Sequence, residues 1–264
     1  MNRHFRAAHV ILAAAMLTAT ACGVAPTPTP SPSPVSAPTP PSPIDRSEQL
    51  VVVTTADWDS TSGTLRRYER RAGSAWQAVG MTTAIVTGRT GLAWGVGFDG
   101  IGDSANAPHK HEGDGRSPAG VFPLDTLFGY SNDLDPSALR MPYVTLTGGS
   151  DCVDDPASMH YNTVVSRDAV ASIDWNSAEH MRSIGQYRIG VIVGYNALPP
   201  TPGRGSCIFL HIWAGPSSTT AGCTALDANA LADLVRWLDR AKTPLLVQLP
   251  VREYERLRGP WRLP

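Results

Sequence analysis

A histidine and a cysteine lie twelve residues apart in the C-terminal part of the chain. An apolar run delivers His211, a loop of small residues follows, and Gly222 precedes Cys223. An imidazole beside a thiol lowers the pKa of the thiol, and the resulting thiolate is a strong nucleophile. The glycine lets the backbone approach a substrate carbonyl, so the amides of Gly222 and Cys223 are candidate oxyanion donors. The pattern predicts a cysteine nucleophile with His211 as its base, although two buried structural residues at this spacing would look the same.

The elements that must position this pair are short strands. Beyond residue 46, segments rich in Val, Ile, Thr and aromatic residues alternate with Gly, Pro, Asn and Asp. Such alternation is typical of a mainly β domain, here of α+β type because some helix is also expected. The predicted strands cover residues 50–55, 64–70, 76–86, 143–147, 188–195, 206–213 and 244–249.

One segment has a clear helical period and follows the cysteine directly. A helix is predicted over residues 228–241, with Asp227 as its N-cap and an end before Pro244. A weaker helical candidate covers residues 166–183, beginning at Asp168 or Ser177. The apolar positions of the first helix, spaced i, i+3, i+4 and i+7, are Leu231, Leu234, Val235 and Leu238.

Two segments together resemble the catalytic signature of the L,D-transpeptidase (YkuD) family. In that family a strand-borne His precedes Ser/Thr-x-Gly-Cys, which is matched here by His211 and residues 220–223, Thr-Ala-Gly-Cys. Residues 113–122, GDGRSPAGVF, are similar to the family's Gly-x-x-(Thr/Ser)-Pro-x-Gly-x-Phe turn, which opens a core strand. Both occur in the family's order, and the resemblance covers roughly residues 50–249. It implies a YkuD-like β-sandwich or barrel with a helix after the catalytic cysteine.

The resemblance also implies an activity, a two-step acyl exchange on peptidoglycan stem peptides. Cys223 would attack the amide between the third, L-centred residue and the terminal D-alanine, and His211 would protonate the leaving amine. A side-chain amine of a second stem would then take the acyl group from the thioester, without metal or cofactor. The expected function is therefore a transferase of cell-wall peptidoglycan biosynthesis. The residues expected to contact the substrate are Thr220, Trp213, His111, Arg116 and Arg204.

The chain also departs from the family's pattern. Ala221 stands where a His is common, and Thr224 and Ala225 replace an apolar residue and an Arg. That Arg usually helps to arrange the active-site loop and its substrate, and Arg188 or Arg204 are candidates to replace it. Its loss leaves open an L,D-carboxypeptidase, which hydrolyses the thioester, and a catalytically silent peptidoglycan-binding lipoprotein.

A zinc-dependent cell-wall peptidase is a third alternative. Its ligands would come from His109, His111, Glu112 and Asp114, or from His160, His180, Asp154 and Asp155. The spacings fit no helical ligand pair, so no metal site is predicted. Asp154-Asp155-Pro156 is interpreted as a turn with a capping carboxylate.

The N-terminal 46 residues have the composition of an export and anchoring segment. Residues 1–21 combine early basic residues with an apolar run at 10–20, which is typical of a signal peptide and too short to span a bilayer. Residues 17–22, LTATAC, resemble a lipobox, so Cys22 is the predicted lipidation site; an ordinary cleavage site is the alternative. Residues 22–46 form a Pro/Thr/Ser-rich tether that can extend on the order of 60 Å. The catalytic domain is predicted at 47–264, outside the cytoplasm and anchored to the membrane or secreted.

Charge and cysteine content restrict the partners. Lys and Arg total 22 against 23 Asp and Glu, so no cationic field favours nucleic acid. A monomer is expected. Of the three cysteines after Cys22, the favoured disulfide joins Cys152 to Cys207 and leaves Cys223 free for chemistry; two reduced, buried thiols are the alternative.

Overall fold

The computed structural model describes residue 42 and residues 44–71, 73–96, 106–130 and 133–264. The predicted signal peptide, the lipidation site Cys22 and most of the tether lie outside these residues. The folded part begins before the predicted boundary at residue 47. Ile44 is fully buried, and the Ser42 hydroxyl donates to the carbonyl of Trp261 at 2.5 Å.

Strands make up most of the regular structure of the described residues, which confirms the mainly β class. All seven predicted strand segments contain a strand, and β5 begins within the segment where the resemblance implied a core strand. The other five strands, β4, β7, β8, β9 and β12, were not predicted. The strands are β1 (Gln49–Thr55), β2 (Ser62–Glu69), β3 (Gln77–Val86), β4 (Leu92–Trp94), β5 (Ser117–Gly129), β6 (Tyr143–Thr145), β7 (Ser150–Val153), β8 (Val164–Ser166), β9 (Ala178–His180), β10 (Ile189–Val193), β11 (Phe209–Ile212), β12 (Thr224–Leu226) and β13 (Leu245–Pro250).

Eight of these strands close into a barrel. Neighbours follow the order β10-β11-β12-β3-β2-β1-β13-β5, and β10 also pairs with β5. This last pairing closes the ring, so these strands have no free sheet edge. Strands β4 and β6 run parallel to β5 and pair with it beside the ring. A separate three-stranded sheet has the order β8-β7-β9.

Two helices follow β12 and β13. Helix α1 (Ala228–Trp237) begins as predicted, because the Asp227 carboxylate accepts the amides of Asn229 and Ala230. It ends before the predicted residue 241, since Leu238 leaves the helical conformation and a 3-10 turn follows at Arg240–Lys242. Helix α2 (Val251–Trp261) was not predicted. No helix of the described part is long and apolar enough to cross a membrane.

Buried side chains lie on both faces of the central strands. One core fills the barrel and draws on all eight of its strands, with the apolar stripe of α1 packed against it. In β1, Val51 and Val53 face this interior, whereas Leu50 and Val52 face a second core formed with α2. Successive side chains of a strand point to opposite faces of the sheet, so one strand contributes residues to both cores.

The segment predicted as a weak helix at residues 166–183 is not an α-helix. It contains 3-10 turns at Arg167–Ala169 and Met181–Ser183, and β9 lies between them. Neither Asp168 nor Ser177 caps a helix there, because β8 and β9 both pair with β7 and this pairing overrides local propensity. The Cys152–Cys207 disulfide, the pairing favoured from the sequence, links β7 to the chain just before β11.

Candidate active site

The histidine and the cysteine lie on the same outer face of the barrel. Leu210 of β11 belongs to the interior core, so alternation turns Phe209 and His211 outward. Strand β12 runs parallel to β11 with Ala225 aligned to His211. Cys223 precedes Ala225 by two positions and therefore faces the same side.

His211 and Cys223 line one cavity of about 170 Å³, which we call the imidazole cavity. Both residues are largely buried, with 8% and 6% of their surfaces exposed. Trp213 and Thr220, two of the residues predicted to contact substrate, are also in its wall. The wall further contains Glu179, Ile184, Gln186, Tyr187, Ala214, Ser218, Thr219, Ala221 and Ala225.

The imidazole of His211 is held in one tautomer. Its Nδ1 lies 2.8 Å from the carbonyl oxygen of Ile212, and because a carbonyl only accepts, Nδ1 carries the proton. Nε2 therefore keeps a lone pair and can act as a base. Burial lowers the pKa of His211, so the ring is neutral near pH 7. The edge of the ring packs against Tyr187, with centroids 5.2 Å apart.

The thiol of Cys223 is free and neutral. Its Sγ accepts the amide of Phe209 at 3.3 Å and donates to the carbonyl of Cys207 at 3.4 Å. Burial, followed by the charge of Glu179, raises the pKa of Cys223 to about 12. The expectation that the imidazole lowers this pKa is wrong. A neutral imidazole provides no positive charge, and desolvation of the thiolate dominates.

A glutamate and a tyrosine that sequence reasoning did not identify stand next to the thiol. The Tyr187 hydroxyl donates to Glu179 Oε2 at 2.6 Å. Burial raises the pKa of Tyr187, and an interaction with the Cys223 thiol adds to the rise. Burial raises the pKa of Glu179 to about 7, and the charges of Asp154 and Glu112 add to the rise. Glu179 lies on β9, inside the segment predicted as helix, and had no recognisable motif around it.

The two segments that resemble the family signature meet at the carbonyl of Cys223. Ser117 Oγ donates to this oxygen at 2.7 Å, and Thr220 Oγ1 donates to it at 2.6 Å. The Gly222 amide donates to Thr220 Oγ1 at 3.1 Å. To act as an oxyanion donor, as predicted, this amide would have to break that bond and donate to the substrate oxygen instead. A Cβ on Gly222 would lie 3.1 Å from the carbonyl oxygen of Arg116, so a larger residue would crowd the contact between the segments.

A second cavity of about 260 Å³, which we call the charged cavity, also has Cys223 in its wall. It shares Glu179, Ala221 and Cys223 with the imidazole cavity. Cys223 therefore lies in the wall between two adjacent cavities. The other residues in its wall are Arg89, Lys110, Glu112, Gly113, Asp154, Ser206, Cys207, Ile208 and Gly222.

Three of the predicted substrate contacts lie outside both cavities. Arg116 donates to the carbonyls of Trp58 and Leu92 and pairs with Asp59, so its charge holds a loop in place. His111 is exposed, with Nδ1 3.1 Å from the carbonyl of Glu112. The third residue, Arg204, has its carbonyl bonded by the Tyr195 hydroxyl. Arg188, a candidate to replace the missing arginine, is also outside and pairs with Asp133.

The histidines proposed as zinc ligands are also dispersed. His180 Nδ1 lies 2.8 Å from Asp151, and His160 packs edge-on against Trp175. Within the described ranges, no three His, Cys, Asp or Glu residues are grouped so that they could hold a metal ion. Asp155 does cap a turn, because its carboxylate accepts the amide of Ala157 at 2.9 Å.

Comparison with known proteins adds no assignment. No family model matches the chain, and no curated protein matches it. The function must therefore be argued from the site itself.

Proposed function

We propose that this protein is a cysteine acyltransferase of the bacterial cell wall, an L,D-transpeptidase acting on peptidoglycan stem peptides. The observation that carries the proposal is a free thiol, Cys223, sharing a cavity with a neutral imidazole whose Nε2 is unprotonated. The contact of Ser117 with the Cys223 carbonyl supports it, because it joins the two segments that resemble the YkuD signature. The eight-stranded barrel is compatible with a YkuD-like fold.

In the first step Cys223 attacks the carbonyl carbon of the third stem residue. Because the thiol is neutral at rest, its proton passes to Nε2 of His211 as the carbon–sulfur bond forms. The carbon–nitrogen bond then breaks, and His211 returns that proton to the departing amine of D-alanine. The Nδ1 bond to the Ile212 carbonyl keeps the ring in the required tautomer throughout.

In the second step an amine of another stem attacks the thioester carbonyl. Its proton passes through His211 to the departing sulfur, which restores the neutral thiol. Two adjacent cavities at Cys223 suit this exchange, since the acyl chain can stay in one while the acceptor enters through the other. Water entering instead of the amine gives the carboxypeptidase reaction.

The proposal includes a location. A signal peptide, lipidation at Cys22 and an extended tether would hold the catalytic domain above a membrane, where stem peptides are found. A Cys152–Cys207 disulfide suits an oxidising compartment outside the cytoplasm.

A second candidate is a peptidoglycan-binding lipoprotein without turnover. It is favoured by the raised pKa of Cys223, about 12. It is also favoured by the thiol's contact with the Cys207 carbonyl, since no bond between His211 and Sγ occurs among the described residues. Such a protein would bind stem peptides and form no thioester.

Intact-mass spectrometry with a carbapenem separates the two candidates. The transpeptidase proposal expects a covalent adduct of one carbapenem on the native protein and none on Cys223→Ala. Cys22→Ala is the matched control, because it removes a cysteine outside the described residues, retains the thiol at 223 and should still form the adduct. A native protein that binds stem peptides but gains no mass supports the silent binder.

A further inference from the structure

The charged cavity contains a buried cation that the sequence did not single out. Lys110 is only 3% exposed and lines this cavity beside Cys223. Its Nζ lies 3.8 Å from the position that a Cβ on Gly222 would occupy. A buried lysine at the turn that carries the nucleophile is unusual, because lysine is almost never fully buried unless paired.

The ammonium is held in place by the loop that precedes the barrel strand β5. Nζ donates to Asp114 Oδ1 at 2.7 Å and to the carbonyl of His111 at 3.2 Å. Asp114 also accepts the amides of His111 and Arg116, at 2.9 Å each. An ammonium has three N–H donors, so two bonds within the described residues leave one donor for the cavity.

We propose that Lys110 binds the α-carboxylate of the terminal D-amino acid of the donor stem, an inference that rests on the proposed function. The carboxylate carbon follows the attacked carbonyl by one residue, a span of at most about 3.6 Å along the chain. A cation that recognises it must therefore lie in the same cavity as the nucleophile. Lys110 and Cys223 line the same cavity, and Nζ lies beside Gly222, which satisfies this requirement.

The other polar groups considered for substrate binding near Cys223 face elsewhere. Thr224 turns its hydroxyl to Gln248 at 2.6 Å in the buried interior, away from substrate. Arg188 and Arg204 lie outside both cavities. Lys110, by contrast, lines the charged cavity together with Cys223, so its positive charge is available beside the thiol.

The test compares two synthetic stem tetrapeptides that end in D-alanine or in D-alaninamide. Binding is measured by calorimetry on Cys223→Ala protein, so that no turnover intervenes. A charge-assisted hydrogen bond predicts that the acid binds about tenfold to hundredfold more tightly than the amide. Lys110→Gln should lower binding of the acid to the level of the amide, and Lys110→Arg should keep part of the preference.

Two further variants make the outcome decisive. Removing the Lys110 charge alone leaves the Asp114 carboxylate buried without its partner, which can unfold the loop. Binding of both peptides is therefore also measured on Lys110→Gln/Asp114→Asn, and a thermal melt checks that this variant is folded. Arg188→Gln removes an exposed cation outside both cavities and should retain the preference. Equal binding of acid and amide to Cys223→Ala, or a preference that survives in folded Lys110→Gln/Asp114→Asn, overturns the assignment. Absence of a carbapenem adduct on the native protein refutes turnover, whereas the Lys110 assignment is decided by the binding comparison.

Discussion

Replacing Glu179 by Gln should stabilise the protein at neutral and alkaline pH. The Glu179 side chain is half-buried, its carboxylate accepts the Tyr187 hydroxyl, and desolvation raises its pKa from 4.5 to about 7. At ~1.4 kcal/mol per pKa unit, ionising Glu179 in the folded state costs up to about 3 kcal/mol of stability. Glutamine has nearly the same shape and cannot ionise, so the variant avoids this cost.

The direction of the pH dependence follows from the raised pKa. The folded protein retains its proton on Glu179 at pH values where the unfolded chain has lost it, so this group favours folding most at low pH. Its contribution is fully present below about pH 4.5, decreases as the pH rises, and is lost above about pH 7. Cys223 and Tyr187, whose pKa values Glu179 also raises, stay protonated up to pH 8.5 and so contribute little to the difference.

The assay is urea unfolding of the native protein and Glu179→Gln at pH 4.5 and pH 8.5. We expect similar free energies of unfolding at pH 4.5 and a variant more stable by up to about 3 kcal/mol at pH 8.5. Glu179 is also the second cause of the raised pKa of Cys223, so alkylation of the thiol should be faster in the variant. A difference in unfolding free energy that is the same at both pH values would refute the reasoning.

Four further outcomes follow from the same geometry. Alkylation of Cys223 by iodoacetamide should be slow at pH 8 and still accelerate above pH 9, because its pKa is about 12; a plateau near the usual value of about 8.5 contradicts this. Removing the disulfide by Cys152→Ser/Cys207→Ser should lower the free energy of unfolding by about 4 kcal/mol in urea titrations, given its 55-residue separation. Ser117→Ala should cost about 1 kcal/mol and slow acylation, since it frees the Cys223 carbonyl of one donor; unchanged acylation would remove Ser117 from the site. Asp227→Ala should cost about 1 kcal/mol by uncapping α1, and an unchanged thermal midpoint would contradict the cap.

The sequence predicted those strands and helices that are marked by the residue types within or next to them. The strands around Val51 and Leu210 follow from β-branched and aromatic runs, and Asp227 precedes a regular apolar stripe. Strands β7 and β9 have no such signal, because they are short and are stabilised by pairing with each other across many residues. Helix α2 was missed because Gly259 and Pro260 fall within its last turns.

The candidate site was predictable only where a motif marks it. His211, Gly222 and Cys223 are close in the chain, so their spacing could be interpreted directly. Glu179 and Lys110 line the same cavity as Cys223 but come from distant segments, and only the folded chain brings them together. Their effects on the pKa of Cys223 depend on burial, which residue types and spacing do not reveal.

The central claim is that Cys223 carries the acyl group with His211 as its base. Peptide mapping by mass spectrometry after brief reaction with the stem tetrapeptide tests it directly. We expect the tripeptide acyl group, with D-alanine released, on the fragment that contains Cys223, and a strongly reduced yield in His211→Ala. An unmodified Cys223 fragment after reaction, or an acyl group on another residue, would contradict the account.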